Sequence, residues 1–300
     1  MDRPSGGVQA AGGAGLRAAA RHGAARAVAG AEARGTGHAP KGAGPGWRGA
    51  RPGPVGARAA AAPPAPGPVR PVVLSWSGGK DSALALARLA ADPQVRVVGL
   101  LATSNEVTGR ISIHGVRRAL VEAQARALGL PLWWVPLPDP CSNADYEERM
   151  ARALARLAGR GVRAVAFGDL FLADIRAYRE GQLARAGMTA LFPLWGKDTR
   201  ELAGEVVASG IRAVVVASGP DLGPRWLGRP YDARFLAELP ATVDPCGERG
   251  EFHTFVYDGP AFREPVAFRP GERVERGGFW YLDLLPAAPG EPDGSPGRAL

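Results

Sequence analysis

Eight consecutive residues, Ser75-Trp76-Ser77-Gly78-Gly79-Lys80-Asp81-Ser82, concentrate more reactive chemistry than any other stretch of the chain. They follow a short apolar run and open a helical pattern, so they read as the turn from a buried strand into a helix. A turn of that kind aims several backbone N–H groups outward. Its glycines permit close approach, and the helix N-terminus adds positive potential. Anionic oxygens fit there. Ser77 and Ser82 can donate hydroxyl hydrogen bonds, Lys80 brings a full positive charge, and Asp81 can hold a Mg²⁺-bound water or fix the loop. The alternative is a helix cap containing a flexible glycine pair.

A second concentration of polar chemistry runs from Asp244 through Cys246-Gly247-Glu248-Arg249-Gly250-Glu251-Phe252-His253-Thr254. Glu248 and Glu251 flank a Gly-bounded turn directly before a strand-like run. Such a turn can present both carboxylates to one cation: Mg²⁺, ammonium or a charged substrate. Solvated carboxylates on an ordinary turn account for the residues equally well.

Further candidates are scattered. Asp169 ends an apolar strand-like run, where open α/β sheets place ligand groups, or else it caps the next helix. Arg176 and Glu180 are i,i+4 partners on that helix. Ser104 and Asn105 end another strand, His114 begins a helix, and Lys197 with Asp198 follows an aromatic-proline segment. Trp133 and Trp134 read as core.

These residues need a scaffold. From residue 69 onward, short Val/Leu-rich runs alternate with helical patterns, which argues for a parallel sheet. Strands are expected at 72–76, 95–102, 132–137, 162–167 and 211–217, and helices at 82–91, 116–128, 145–157, 174–186 and 201–208. Beyond 218 the alternation fades. A short helix at 233–239 and antiparallel strands at 252–257, 265–269 and 278–284 suggest a smaller α+β module.

Charge and composition narrow the partners. The net charge of +8 arises in residues 1–70, which hold ten basic side chains against Asp2 and Glu32; the remainder balances 27 basic with 27 acidic residues. The folded part therefore has no basic footprint for nucleic acid. Residues 1–68, rich in Ala, Gly, Pro and Arg, cannot bury enough to order themselves and read as a solvated extension, with a basic arm or a transit peptide as alternatives. No run approaches the roughly 18 apolar residues of a membrane helix, so a soluble chain is expected. The two cysteines, Cys141 and Cys246, match neither a zinc nor a CxxC spacing and suit a reducing, cytoplasmic setting.

The loop is neither GxxxxGK[ST] nor GxGxxG. Ser77-Gly78-Gly79-Lys80-Asp81-Ser82 resembles the PP-loop of the N-type ATP pyrophosphatases, in the adenine nucleotide α-hydrolase-like superfamily. With it, the Asp244–Pro260 segment resembles the GEGGEFET-type signature of the diphthine-ammonia ligase family, also called ATP-binding domain 4. The resemblance runs from about 72 to 285. It takes in Gly168-Asp169, Leu191-Phe192-Pro193-Leu194-Trp195 with Asp198, and Trp226-Leu227-Gly228-Arg229.

That resemblance implies a Rossmann-like (HUP-type) α/β sheet with helices on both faces and a C-terminal substrate module. It also implies ATP-dependent amidation through an adenylate, with ATP and Mg²⁺ as cofactors. The implied roles are these: Ser75, Ser77, Gly78, Gly79, Lys80, Asp81, Ser82 and Ser104 for ATP, and Asp81 for the metal. Lys80, Asp81, Glu248 and Glu251 would serve catalysis, and Asp169, Arg176, Gly247, Glu248, Gly250, Glu251 and Thr254 the substrate. The expected partners are ammonium and a carboxylate substrate, which a modified protein side chain would satisfy; a homodimer is compatible. Trp195, Trp226 and Phe252 would suit a trimethylammonium group. Two departures, Arg249 for a usual Gly and His253 for a common Glu, bear on specificity. The implied organisation is an extension at 1–68, a PP-loop domain at 69–217, a substrate module at 218–285 and a tail at 286–300. Alternatives are an RNA-modifying PP-loop enzyme using the cysteine pair, and a non-catalytic ATP-sensing module.

Overall fold

The computed structural model describes residues 69–287; the extension expected at 1–68 and most of the expected tail lie outside the described residues. The first half alternates strand and helix: β1 (Arg70–Ser75), α1 (Lys80–Ala90), β2 (Val95–Asn105), α2 (Arg118–Leu128), β3 (Leu132–Leu137), α3 (Asn143–Gly159), β4 (Ala164–Ala166), α4 (Ala173–Arg185), β5 (Thr189–Leu191) and α5 (Thr199–Ala208). Local chemistry sets the ends. Gly129, left-handed at φ 66°, stops α2, a Ser142–Asp145 capping box starts α3, and the Asp198 carboxylate accepts from Arg200 and Glu201 N–H to start α5.

The five strands form one parallel sheet in the order β3-β2-β1-β4-β5. Alternate residues of β1 feed opposite cores. Val72 and Leu74 pack with α1 and α2, while Val73 packs with Leu154 of α3 and Leu183 of α4. Helices therefore cover both faces. The strand order reverses beside β1, and open α/β sheets bind ligands beyond the carboxyl ends of their strands at such a reversal. Both the loop after β1 and the Gly168-Asp169 turn after β4 emerge on that rim.

Where β2 passes β3, a methyl added at Gly99 would press into the Trp133 ring and come within 2.8 Å of Pro131 O. Gly99→Ala should cost ~1–3 kcal/mol by overpacking, read as a lower urea midpoint.

The second half holds β6 (Arg212–Ser218), α6 (Ala233–Glu238), β7 (Phe252–Asp258), β8 (Phe268–Arg276) and β9 (Phe279–Pro286). They make an antiparallel sheet, β7-β6-β9-β8. Here the structure corrects the sequence reading. The run at 211–217 is buried almost throughout, as a parallel core strand would be, but it pairs with β7 and β9. An apolar run reports burial and not the identity of its neighbour. The three-residue β5 is too short for a period and leaves no strand signal in the sequence.

Candidate active site

The loop after β1 is held from behind by one side chain. Gln124 of α2, fully buried, accepts from Trp76 Nε1 at 2.9 Å and donates through Nε2 to Gly78 O at 3.0 Å and Val256 O at 2.6 Å. Gly78 sits at φ 79°, and a methyl there would come 2.8 Å from Gln124 Oε1, so only glycine fits. Ser77 Oγ accepts from Gly79 N at 3.3 Å, and Ser82 Oγ donates to Gly79 O at 2.8 Å. The N-cap, Gly79, has no side chain to cap the first turn of α1. Gly168 lets the β4 turn approach closely, since a methyl there would lie 3.1 Å from Asp81 C and Ser82 N.

The second module closes on this loop. Thr254 Oγ1 accepts from Lys80 N at 3.1 Å, and Gly78 O accepts from Val256 N at 2.8 Å, so β7 lies along the loop. Lys80 points inward and is 2% exposed. Its ammonium donates to Asp81 at 3.0 Å and to the Cys246 carbonyl, with the Phe252 and Tyr231 ring centroids 5.1 and 5.3 Å away. Burial opposes that charge, but Asp81, Cys246 and Glu248 more than offset it and hold Lys80 above its usual value. The lysine thus straps the loop to the turn at 244–251. Burial pushes the Cys246 thiol up to about 12.

Within that turn the two carboxylates are engaged separately. Glu248 Oε1 accepts from Leu170 N at 2.8 Å, linking the turn to the β4 rim, and Glu251 Oε1 accepts from Asp244 N at 3.1 Å. Glu251 Oε2 is buried without a hydrogen-bond partner, which leaves one oxygen for a ligand. Gly247 and Gly250 take left-handed φ values of 68° and 88° to make the bend. Asp244 Oδ1 accepts from Cys246 N at 2.8 Å.

Burial raises Glu248 to about 7, with Asp81 and Asp169 adding repulsion. The folded state therefore favours the protonated form. This contribution is complete below the unfolded value of about 4.3 and is lost as pH rises through about 7. Glu248→Gln keeps an acceptor for Leu170 and removes the ionisation. It should gain on the order of 2 kcal/mol relative to wild type between pH 5 and pH 8, measured by urea unfolding. An equal difference at both pH values would contradict the assignment.

The other candidates fall as follows. Asp169 does not cap α4, whose N-cap is Leu172; it pairs with Arg179 at 2.8 Å. Arg176 pairs with Glu180 at 2.8 Å and lies over Phe192 and Trp195, 5.0 and 4.7 Å from their centroids. Ser75 ends β1, and Ser104 is 1% exposed near the end of β2 with its hydroxyl unpartnered. Asp198 is accounted for by its cap. His114 does not begin a helix: α2 starts at Arg118, and His114 sits in the preceding turn against Gly79. Phe252 and Trp226 are buried, and Lys80 and Arg229 already lie over their faces. Trp133 and Trp134 are half-buried on β3, where each packs against one of the two cores beneath an arginine. Cys141 and Cys246 are free thiols in separate hydrophobic clusters, so the fold does not bring them together as a pair.

Sequence reasoning missed Gln124 and the main-chain partners Cys246 O and Leu170 N. Gln124 had a signal: it lies on the face of α2 that carries Leu120, Val121 and Ala125. A polar residue on an apolar stripe must find buried partners.

Among the described residues no helix is long and apolar enough to cross a membrane, and no cluster of three or more His, Cys, Asp or Glu could hold a metal by itself. Family comparison agrees with the two-sheet architecture. Residues 70–189 match the diphthamide synthase N-terminal domain and 198–284 its C-terminal domain. The chain is 26% identical over 244 residues to a diphthine-ammonia ligase of Schizosaccharomyces pombe, covering 73% of this chain and 40% of that protein. It is 26% identical over 221 residues to the diphthine-ammonia ligase of Bos taurus and 25% identical over 221 to that of Homo sapiens, covering 66% of this chain and 82% of each relative. With both domains matched in order, and with the loop of the first clasped by the turn of the second, the chain belongs to the diphthamide synthase family.

Proposed function

We propose that the chain is an ATP-dependent amide ligase of the diphthine-ammonia ligase type. The observation that carries this reading is the clasp itself. An anion-receptive strand-loop-helix turn is tied by Lys80, Thr254 and Gln124 to a carboxylate-bearing turn from the second module. Two chemistries then share one site, phosphate on one wall and a cation on the other.

In this reading the backbone and hydroxyls of residues 75–82, with Ser104 at the β2 end, hold ATP. Asp81, paired with Lys80 through one oxygen and with its side chain 27% exposed, would hold Mg²⁺ through water and phosphate oxygens. When bound, the ion would neutralise phosphate charge. A substrate carboxylate oxygen attacks the α phosphorus, the bond to the bridging oxygen breaks, and pyrophosphate leaves. Ammonia then attacks the acyl carbon and AMP departs with the bonding pair. The carboxylate needs no base, being ionised already, whereas ammonium must first lose a proton. Glu251 Oε2 offers an anionic seat for it, and Glu248, titrating near 7, can accept the proton at neutral pH. Asp169, Arg176, Gly247, Gly250 and Thr254 would line the acyl side.

The test is product analysis with α-labelled ATP, Mg²⁺, ammonium and host extract, using Asp81→Asn as control. Label in AMP that depends on extract and falls at least about tenfold in the control supports the reading. Label in ADP overturns α–β cleavage, and bound ATP without either product under every extract fraction favours a sensing module.

A further inference from the structure

His114 and His253 take no part in the strap formed by Lys80, yet they meet beside it. The first comes from the turn before α2 and the second from β7. Their rings stack with centroids 4.6 Å apart and planes inclined by 25°. His114 Nδ1 lies 3.2 Å from Thr254 O. A carbonyl only accepts, so the ring hydrogen resides on Nδ1 and the lone pair on Nε2. Cε1, between the two nitrogens, packs on the loop: a methyl at Gly79 would come 2.9 Å from it. One edge of the imidazole therefore borders the N-terminus of α1.

The surroundings keep both rings neutral. Burial pushes His114 down to about 4, and it pushes His253 well below its usual value with help from the stacked ring; the Lys80 charge adds to both. Lys80 is the charged group facing them from α1. Beyond Gly115, Arg110 donates to Gly115 O at 2.8 Å and joins Arg117 on Asp283 of β9 at 2.7 and 2.6 Å, so that carboxylate is already neutralised. Tyr281 of β9 packs on Gly115. An anion in the loop is the ligand class that would reverse this balance.

We propose that His114 is a direct phosphate contact, donating from Nε2–H after taking one proton from solvent as the polyphosphate binds, and that His253 is a positioning residue that holds the ring by stacking. The proposal rests on the reading of the loop as a polyphosphate site. Only one ring of the stack charges, because two cations at this spacing repel.

The test follows the imidazole C2–H resonances of the full chain through a pH titration, with and without α,β-methylene-ATP; the chain has four histidines, so assignment by single substitution is direct. Calorimetry in buffers of differing ionisation enthalpy counts the protons. Bound analogue should move the His114 midpoint from about 4 to above about 6. At pH 6, wild type should take up ~0.5–1 proton more than His114→Gln, a difference that also cancels the ligand's own titration. His253→Phe, which preserves a stacked ring, should retain that uptake, whereas a merely structural pair would show no ligand-linked protonation. A His114 midpoint unmoved by bound analogue, or equal uptake in wild type and His114→Gln, overturns the proposal. Absence of binding by wild type would instead remove the ATP reading, and this proposal with it.

Discussion

Lys80→Met should lower the stability of the chain by about 3–5 kcal/mol, measured by urea unfolding, and should weaken nucleotide binding even where the variant remains folded. Methionine fills much the same volume, so the loss is electrostatic. The Cys246 carbonyl loses its donor and Asp81 loses its counter-charge at 3.0 Å, both beneath the second module. Asp81 retains some access to water, its side chain being 27% exposed, which places the effect toward the lower end of that range. Lys80→Arg should not rescue it. The slot between the Tyr231 and Phe252 rings is closed to solvent, and a planar guanidinium is broader than an ammonium. A wild-type midpoint in Lys80→Met would mean that the ammonium does not strap the two modules together.

Gln124→Leu should cost about 3 kcal/mol, since it removes three hydrogen bonds from a fully buried group and leaves Trp76 Nε1 and Val256 O without that partner. Gly78 O keeps its bond from Val256 N, so the loop should loosen more than it unfolds. Gln124→Glu should be worse at neutral pH, because a carboxylate would face the Gly78 and Val256 carbonyls. It should recover toward acid, where the protonated carboxyl can donate again. A buried carboxyl titrates above its unfolded value, so its stability is lost as pH rises through the folded one. Similar urea midpoints for the Leu and Glu variants across pH 5–8 would contradict this account.

Much of the scaffold was legible because its signals are local. The glycine pair after an apolar run marks a strand-to-helix turn whatever surrounds it, and the helical periods of α1 to α5 placed them within a few residues. Legibility stopped where a residue's partner is distant in sequence. The run at 211–217 announces burial but cannot name its sheet, and β6 joined β7 and β9 because antiparallel neighbours bury an apolar strand equally well. The sequence pattern puts His114 at a helix start, but the left-handed Gly115 at φ 68° keeps the chain in a turn until Arg118. The loop pattern points Lys80 at phosphate; its side chain is instead turned under the second module, toward a main-chain carbonyl that no side-chain pattern could reveal. Glu248 and Glu251 were legible as a pair but not as separately held groups, since Leu170 N and Asp244 N are backbone donors.

The central claim is that the loop after β1 and the turn before β7 make one nucleotide site. Hydrogen exchange of the full chain, with and without Mg²⁺ and α,β-methylene-ATP, addresses it directly. The account predicts joint protection of amides at 76–82 and 244–256, at the same ligand concentration, with little change in β8. Protection of the loop alone, with the 244–256 turn unaffected at saturation, would contradict it.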